Sequence, residues 1–429
     1  MGIFPELDFF MGILPKERRL KMYRKVLGCF LLVLISLAGL SVAPNSIFAA
    51  ESKVIKLGVL LPLSGGTFAE AGLQAKEGFL MALDEINKEG GALGKKIELI
   101  IEDDMGKPEV GVAAAEKLIN RDKVAVLLGG YSSTITYAIM GAIKRYEPVV
   151  AWIGAGAPKV EKFVGKERWY FHYHPVSYHR QAAVRNFLDS LKPRPKTIAL
   201  AYEDGLYGTD SATVAKGYLE KAGFEIVLFE PYKSKATDFT PLLTKIKKLN
   251  PDIYYWVGYA GDCILMIKQS KEIDFNPKLF LAIAVNFPDY KPSLGKTGDW
   301  VAGSCPWIPQ VGLPAAKEFM KKYRKYNPTA NGEPEYWVPL GYINLRTVVD
   351  AIRKAGSLEK NKIIAALEKT DYASAMGRIR FTKDEGGGIH QAIQSHIITQ
   401  WQNGQPVVVW PAELAGGTVK YPTPPWNQR

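Results

Sequence analysis

The chain has 429 residues, a formal net charge of +12 and 47% hydrophobic residues, which suits two or three domains with buried cores. Its basic and acidic residues are interspersed without a long basic run, which argues against nucleic acid as a partner. A moderate positive field instead favours anionic solutes or an acidic partner surface. The only cysteines are Cys29, Cys263 and Cys305, too few for a disulfide framework, and pairing of the last two is left open.

The chain begins with a leader, residues 1–50, in which residues 22–50 have the three parts of a secretory signal peptide. Two basic residues precede a mostly apolar run, 26–43, and the small residues Ala49 and Ala50 suit cleavage. This pattern predicts export to the periplasm or another extracytoplasmic location. The alternative is an uncleaved membrane anchor, which the short apolar run disfavours.

Apolar runs typical of buried strands then alternate with amphipathic segments typical of helices. The first series has predicted strands over 53–63, 96–101, 125–128 and 149–153 and helices over 70–88, 108–120 and 132–145. The second has strands over 197–202, 225–229, 253–257 and 279–285 and helices over 207–222, 239–249 and 262–272. Repeated strand–helix units of this length predict parallel sheets with helices on both faces.

Two such series predict an α/β fold of two doubly wound parallel-sheet lobes with a ligand cleft between them, since ligands bind beyond the carboxyl ends of such strands. The boundary falls at 170–175, and the chain is expected to cross back within 287–314, where proline and glycine are dense. Helices at 314–326, 336–355 and 359–369 and a strand at 393–400 are predicted to follow. Residues 421–429, which include three prolines, are expected to pack loosely.

Four motifs, in order along the chain, resemble those of type I periplasmic solute-binding proteins. The first, KLGVLLPLSG at 56–65, resembles the family's first strand and loop, and the second, ALDEIN at 82–87 with Gly90, Gly91 and Gly94, resembles the helix and turn that follow. The third, EDD at 102–104, resembles the end of the second strand. The fourth, GLYG at 205–208, resembles the start of the second lobe's first helix. The leucine/isoleucine/valine-binding (branched-chain amino acid) subfamily is the most similar. The resemblance implies discontinuous lobes with three crossovers, the first lobe at 53–172 and 308–388 and the second at 173–307 and 389–429.

The resemblance also implies a function. Such a protein captures a small solute by hinge closure and delivers it to the permease of an ABC transporter at the inner membrane, acting as a monomer without a cofactor. One alternative is a receptor that reports solute occupancy to a membrane sensor. Others are a binder of amides or urea, a true branched-chain amino acid binder, and a secreted enzyme, although no convergent catalytic set is found in the sequence.

Two loops of the first lobe are candidates for ligand contact. Ser132 and Ser133 open a helix after an apolar strand, where free N–H groups and hydroxyls suit an anion, although simple helix capping uses the same residues. By the resemblance, Ser133 matches the hydroxyl that grips the ligand's carboxylate. Gly154 matches a carbonyl that accepts from the ligand's ammonium, and Gly156 stands where the family has a threonine, so that contact is lost.

The second lobe supplies the other candidates. Tyr207 and Tyr259 match tyrosines that close over the solute, although tyrosines at helix starts are often only half-buried packing. Ala284 stands where amino acid binders carry an acid that pairs with the ammonium, and Asn286 is a partial substitute. Ala71 leaves room where many relatives have an aromatic residue. The solute is therefore expected to carry a carboxylate without an α-ammonium, as an aromatic or branched acid does.

Histidines near the boundary raise a weaker possibility. His172 and His174 alternate on a short extended run and His179 follows, so two imidazoles on one face could bind a metal ion. No third ligand is placed by spacing, and ordinary packing at a hinge explains the same pattern. No metal site is expected.

Overall fold

The described chain alternates strands and helices from its first residues onward. The structure is a computed structural model that describes residues 53–66, 68–283, 285–330, 333–393 and 395–429. The leader with its predicted signal peptide lies outside the described residues, and so does Ala284. Within these ranges, no helix combines the length and the apolar character needed to cross a bilayer.

The strands and helices have the following bounds. The strands are β1 Val54–Leu61, β2 Lys96–Asp103, β3 Leu127–Gly129, β4 Val150–Trp152, β5 Tyr170–His172, β6 Thr197–Glu203, β7 Glu225–Tyr232, β8 Ile253–Val257, β9 Leu279–Ala282, β10 Ala302–Cys305, β11 Tyr372–Ser374, β12 Gly377–Ile379, β13 Ile397–Gln402 and β14 Gln405–Trp410. The α-helices are α1 Ala69–Lys88, α2 Pro108–Asn120, α3 Ser133–Ile143, α4 Pro158–Val164, α5 Ser177–Ser190, α6 Leu206–Lys221, α7 Thr240–Leu249, α8 Ala260–Glu272, α9 Tyr290–Leu294, α10 Pro314–Tyr326, α11 Trp337–Ala355 and α12 Lys360–Leu367.

These strands form two large sheets. The first has the order β2-β1-β3-β4-β5, and all of its neighbouring strands are parallel. The second has the order β14-β13-β10-β9-β8-β6-β7. Its strands β6 to β10 are parallel, and β13 and β14 extend it as antiparallel strands. The fold is therefore α/β with two parallel-sheet lobes, which confirms the predicted fold class.

The chain passes between the two lobes three times. After β5 it enters α5, whose Val184 and Phe187 pack in one apolar cluster with Leu200 of the second sheet. After β10 it returns through α10, α11 and α12, and Val338 of α11 packs in the cluster that contains Leu57 of the first sheet. It then leaves the hairpin of β11 and β12 for β13. Each lobe is thus built from separate stretches of sequence.

Helices α1 and α11 approach each other backbone to backbone. A Cβ atom at Gly78 would lie 2.0 Å from the carbonyl oxygen of Val338, and one at Gly341 would lie 2.4 Å from the carbonyl oxygen of Ala75. Real Cβ atoms do not come this close to backbone atoms, so any other residue would push the helices apart. The two helices therefore form a tightly coupled pair in the first lobe.

The prediction of a loose C-terminal segment is wrong. The Thr423 N–H donates to the Lys278 carbonyl at 2.8 Å, and the Trp426 indole N–H donates to the Phe275 carbonyl at 3.1 Å. The Arg429 guanidinium stacks on the Trp426 ring, 3.9 Å from its centroid. Prolines here fix an extended path along the second lobe, and aromatic packing holds the segment in place.

Candidate functional site

A cavity lies between the two lobes, beyond the carboxyl ends of the parallel strands. Its empty volume is about 800 Å³, including space at the mouth that is open to solvent. Its walls come from the loops after β3 and β4 in the first lobe and from the starts of α6 and α8 in the second. Of the residues predicted from sequence, Ser133, Gly156, Tyr207, Tyr259, Asn286 and Ala71 line it, whereas Ser132 and Gly154 are not on its wall.

The two serines at the start of α3 differ in position. Ser133 is 2% exposed, and its Oγ accepts a hydrogen bond from the Ala157 N–H at 3.2 Å. A hydroxyl that accepts one bond still has its own proton to donate, so Ser133 can donate to an acceptor in the cavity. The Ser132 side chain makes no capping bond, and its backbone carbonyl accepts from the Thr136 N–H at 2.8 Å.

The loop after β4 is held by hydrogen bonds of the protein itself. The Gly154 carbonyl accepts from His172 Nε2 at 2.7 Å, so the oxygen assigned to an ammonium is already used in the fold. The Gly156 carbonyl accepts from the Ser177 hydroxyl at 2.8 Å. A Cβ at Gly156 would lie 3.4 Å from the Tyr207 ring and 3.5 Å from the His174 ring, so glycine keeps this part of the wall open.

Aromatic rings from both lobes meet around the cavity. The Tyr131 ring centroid lies 4.9 Å from that of Trp337 and 6.4 Å from that of Tyr259. Tyr259 in turn lies 5.8 Å from Tyr207 and 4.9 Å from Phe68. Phe68, Tyr131 and Trp337 belong to the first lobe, and the other two belong to the second. Such rings supply a large apolar contact area with hydroxyl groups at its edge.

Asn286 lines the cavity, but its amide group is already engaged. Its Nδ2 donates to Thr399 Oγ1 at 3.0 Å and to Cys305 Sγ at 3.2 Å. The amide therefore mainly links β13 to the end of β10 by hydrogen bonds. Cys263 and Cys305 are both buried with free thiols.

Arg180 also lines the cavity, although it was not predicted from the sequence. It is 3% exposed, its Nη1 donates to the Tyr207 hydroxyl, and its Nε has no partner among the described residues. No carboxylate of the described residues forms an ion pair with it. Burial lowers the pKa of Arg180, yet a guanidinium keeps its charge at neutral pH. A buried cation without a counterion, open to a cavity, is suited to an anionic guest.

A signal for Arg180 exists in the sequence. It lies four residues before Val184 and seven before Phe187, on the buried face of α5, and residues at these spacings share one side of a helix. A charged residue on an apolar face is unusual unless it is paired. Helix α5 was not predicted; it begins at Ser177, directly after the stretch 170–175 that was interpreted as a boundary between lobes.

Two carboxylates, Glu70 and Glu335, line the first-lobe side of the cavity. The Glu335 N–H donates to Gln74 Oε1 at 2.9 Å, and Gln74 Nε2 donates to Glu70 Oε1 at 3.5 Å. Burial raises the pKa of both carboxyl groups, most strongly that of Glu335. Nothing in their sequence spacing distinguished them from surface acids.

The boundary histidines have structural contacts. His172 lies between the Gly154 carbonyl and Glu161, with its Nδ1 3.2 Å from a carboxylate oxygen. The His174 ring stacks on Trp337 at 5.4 Å and 7°, and burial lowers its pKa. Over the described ranges, no group of three His, Cys, Asp or Glu side chains is placed to hold a metal ion.

Two parallel-sheet lobes with a cavity between them are the arrangement of a solute-binding protein. Residues 54–406 match the family model described as periplasmic binding protein. The chain therefore belongs to the periplasmic binding protein family, a family of substrate-binding proteins and not of enzymes. This confirms the resemblance inferred from the four sequence motifs.

Individual relatives agree with this assignment. The leucine-, isoleucine-, valine-, threonine- and alanine-binding protein of Pseudomonas aeruginosa is 24% identical over 82% of this chain and 91% of its own length. An isoleucine complex of a branched-chain amino acid transporter substrate-binding protein from Streptococcus pneumoniae has a TM-score of 0.71 at 22% identity, covering 83% and 100%. A benzoate complex of a solute-binding protein from R. palustris has a TM-score of 0.72 at 18% identity, covering 83% and 95%. At these identities the structures establish the shared fold.

Proposed function

We propose that this protein captures a small carboxylate-bearing solute outside the cytoplasm and delivers it to an ABC permease, without catalysing a reaction. The observation that carries the proposal is the buried Arg180 guanidinium, which faces the cavity and has no counterion within the described part of the chain. The family supports the capture function, and the leader pattern supports an extracytoplasmic location. The same cavity would serve a sensory receptor, but no feature of the described residues favours that alternative.

The contacts around Arg180 suit a carboxylate. A guanidinium can donate two parallel hydrogen bonds to one carboxylate, and Ser133 of the first lobe adds a hydroxyl donor to the cavity wall. The Tyr207 hydroxyl already accepts from Arg180, which fixes the guanidinium plane. A bound carboxylate would supply the counterion that the buried Arg180 guanidinium lacks.

An α-ammonium would find little compensation in the same place. It lies next to the carboxylate in any α-amino acid, and therefore close to Arg180. No acid of the described residues pairs with Arg180 at that end of the cavity, and Gly156 offers no side chain. The Asn286 Oδ1, the acceptor of that amide, already accepts from the Thr399 hydroxyl at 3.3 Å. Burying an ammonium without an acceptor costs several kcal/mol, on the order of the penalty for an unpaired buried charge. The surrounding rings instead favour an aromatic or branched acid.

Calorimetry on the leader-free protein tests this choice of solute. Benzoate and 4-methylpentanoate are expected to bind at least about tenfold more tightly than leucine, the α-amino counterpart of the latter. The comparison is matched, because leucine differs from 4-methylpentanoate only by its ammonium. Tighter binding of leucine would contradict the proposal and favour a true branched-chain amino acid binder.

Closure of the two lobes is expected to accompany binding. The cavity walls come from both lobes, and only three chain segments connect them, so a hinge motion is the simplest way to admit and enclose a solute. Small-angle scattering should show a smaller radius of gyration with saturating benzoate than without it. An unchanged radius at saturation would speak against hinge closure.

A further inference from the structure

The cavity has ends of opposite charge. Arg180 lies at the end formed by α5, while Glu70 and Glu335 lie at the end formed by the starts of α1 and α11. Gln74 links the two acids, because it accepts from the Glu335 backbone and donates to the Glu70 carboxylate. The acids therefore form one site and not two scattered charges.

The Glu335 carboxyl group is free to accept a hydrogen bond from a bound solute. Among the described residues it has no hydrogen bond and no ion pair, although it is half-buried and faces the cavity. A carboxylate in such a place is costly unless something donates to it. Burial and the nearby Glu70 raise its pKa, which is the expected response of an acid that lacks a donor.

Aromatic side chains separate the two ends. The Tyr207 hydroxyl accepts from Arg180, and the Tyr207 ring lies 5.8 Å from that of Tyr259. The Tyr259 ring in turn lies 6.4 Å from that of Tyr131. The Tyr131 ring packs on Trp337, two residues after Glu335, at 4.9 Å. The space between cation and acids is thus walled by rings.

We propose that Glu335, supported by Glu70, selects a solute with a hydroxyl group at the end opposite its carboxylate, across an aromatic ring. The inference rests on the proposed function, because it takes Arg180 as the carboxylate anchor. A hydroxyl at that position donates to Glu335 and supplies the bond that this acid lacks. A hydroxyl beside the carboxylate lies at the Arg180 end and cannot reach it.

Calorimetry with benzoate, 2-hydroxybenzoate and 4-hydroxybenzoate tests the inference. The protein is expected to bind 4-hydroxybenzoate about tenfold more tightly than the other two acids, the scale of one added hydrogen bond to a charged group. In Glu335→Ala the preference should fall to within about twofold, and in Glu335→Gln, whose amide oxygen still accepts, it should be intermediate. Benzoate affinity should hardly change in either variant.

Glu318→Gln is the matched control, since this acid is 68% exposed on α10, pairs with Lys321 and does not line the cavity. It should leave the preference for 4-hydroxybenzoate intact. Melting temperatures of all variants show that each is folded. Equal affinities for benzoate and 4-hydroxybenzoate, or an unchanged preference in Glu335→Ala, would overturn the inference. The proposed function would still stand in that case, provided that benzoate binds through Arg180. If none of the three acids binds, the inference falls, and the proposed function falls with it only if 4-methylpentanoate does not bind either.

Discussion

Arg180→Met is expected to weaken benzoate binding by about 3 kcal/mol or more, a loss on the order of 100-fold. The variant removes a buried cation and leaves the solute's carboxylate without its main donor. The unliganded variant should be at least as stable as the parent protein, because an unpaired buried charge is itself costly. Calorimetry measures the first effect and thermal unfolding without ligand measures the second.

Two companion variants separate charge from geometry. Arg180→Lys keeps the charge but cannot donate two parallel bonds, so its affinity should lie between those of the parent and Arg180→Met. Ser133→Ala removes a single donor to the carboxylate and should cost about 1–3 kcal/mol of binding, the scale for one hydrogen bond to a charged group. Benzoate affinity of Arg180→Met within threefold of the parent would show that another group anchors the carboxylate.

Gly78→Ala is expected to destabilise the protein by about 3 kcal/mol, at the upper end of overpacking effects. The added Cβ would lie 2.0 Å from the backbone carbonyl of Val338, and backbone cannot rotate aside as a flexible side chain can. Because α11 begins at Trp337 on the cavity wall, the shift should also weaken solute binding. Urea unfolding gives the stability change.

Gly141→Ala is the control for this prediction. Gly141 also lies within a helix, α3, but its added Cβ would meet nothing within 4 Å. Alanine favours helix over glycine by about 1 kcal/mol, so this variant should be slightly more stable than the parent. A loss of similar size in both variants would mean that the close approach of α1 and α11 is not the cause.

Elements with strong local signals could be predicted from sequence. Helices α2 and α10 begin and end where predicted, since each has proline in its first turn and an apolar face of helical spacing. Strand β8 is likewise exact in its bounds because it is a short, wholly apolar run. Strands β5 and β10 were missed, because three or four residues carry too little periodicity to tell a strand from a loop.

The site was only partly accessible from sequence. Ser133, Tyr207 and Tyr259 could be predicted to line the cavity because each lies at a helix start after a strand, a position that the fold class itself brings to the cleft. Arg180 and Glu335 depend on how α5 and α11 pack after the chain crosses between lobes, which no local pattern encodes. The hydrogen bond from His172 to the Gly154 carbonyl could not be predicted from sequence for the same reason.

The two charged ends of the cavity belong to different lobes. Arg180 is carried by α5 on the second lobe, while Glu70 and Glu335 are carried by the coupled helices α1 and α11 on the first. A molecule that contacts the groups of only one lobe can therefore occupy an open cleft without drawing the lobes together. Such a molecule would act as an antagonist of uptake: it would compete for the protein yet present the permease with a conformation that it does not accept. Affinity and transport rate should then rank solutes in different orders.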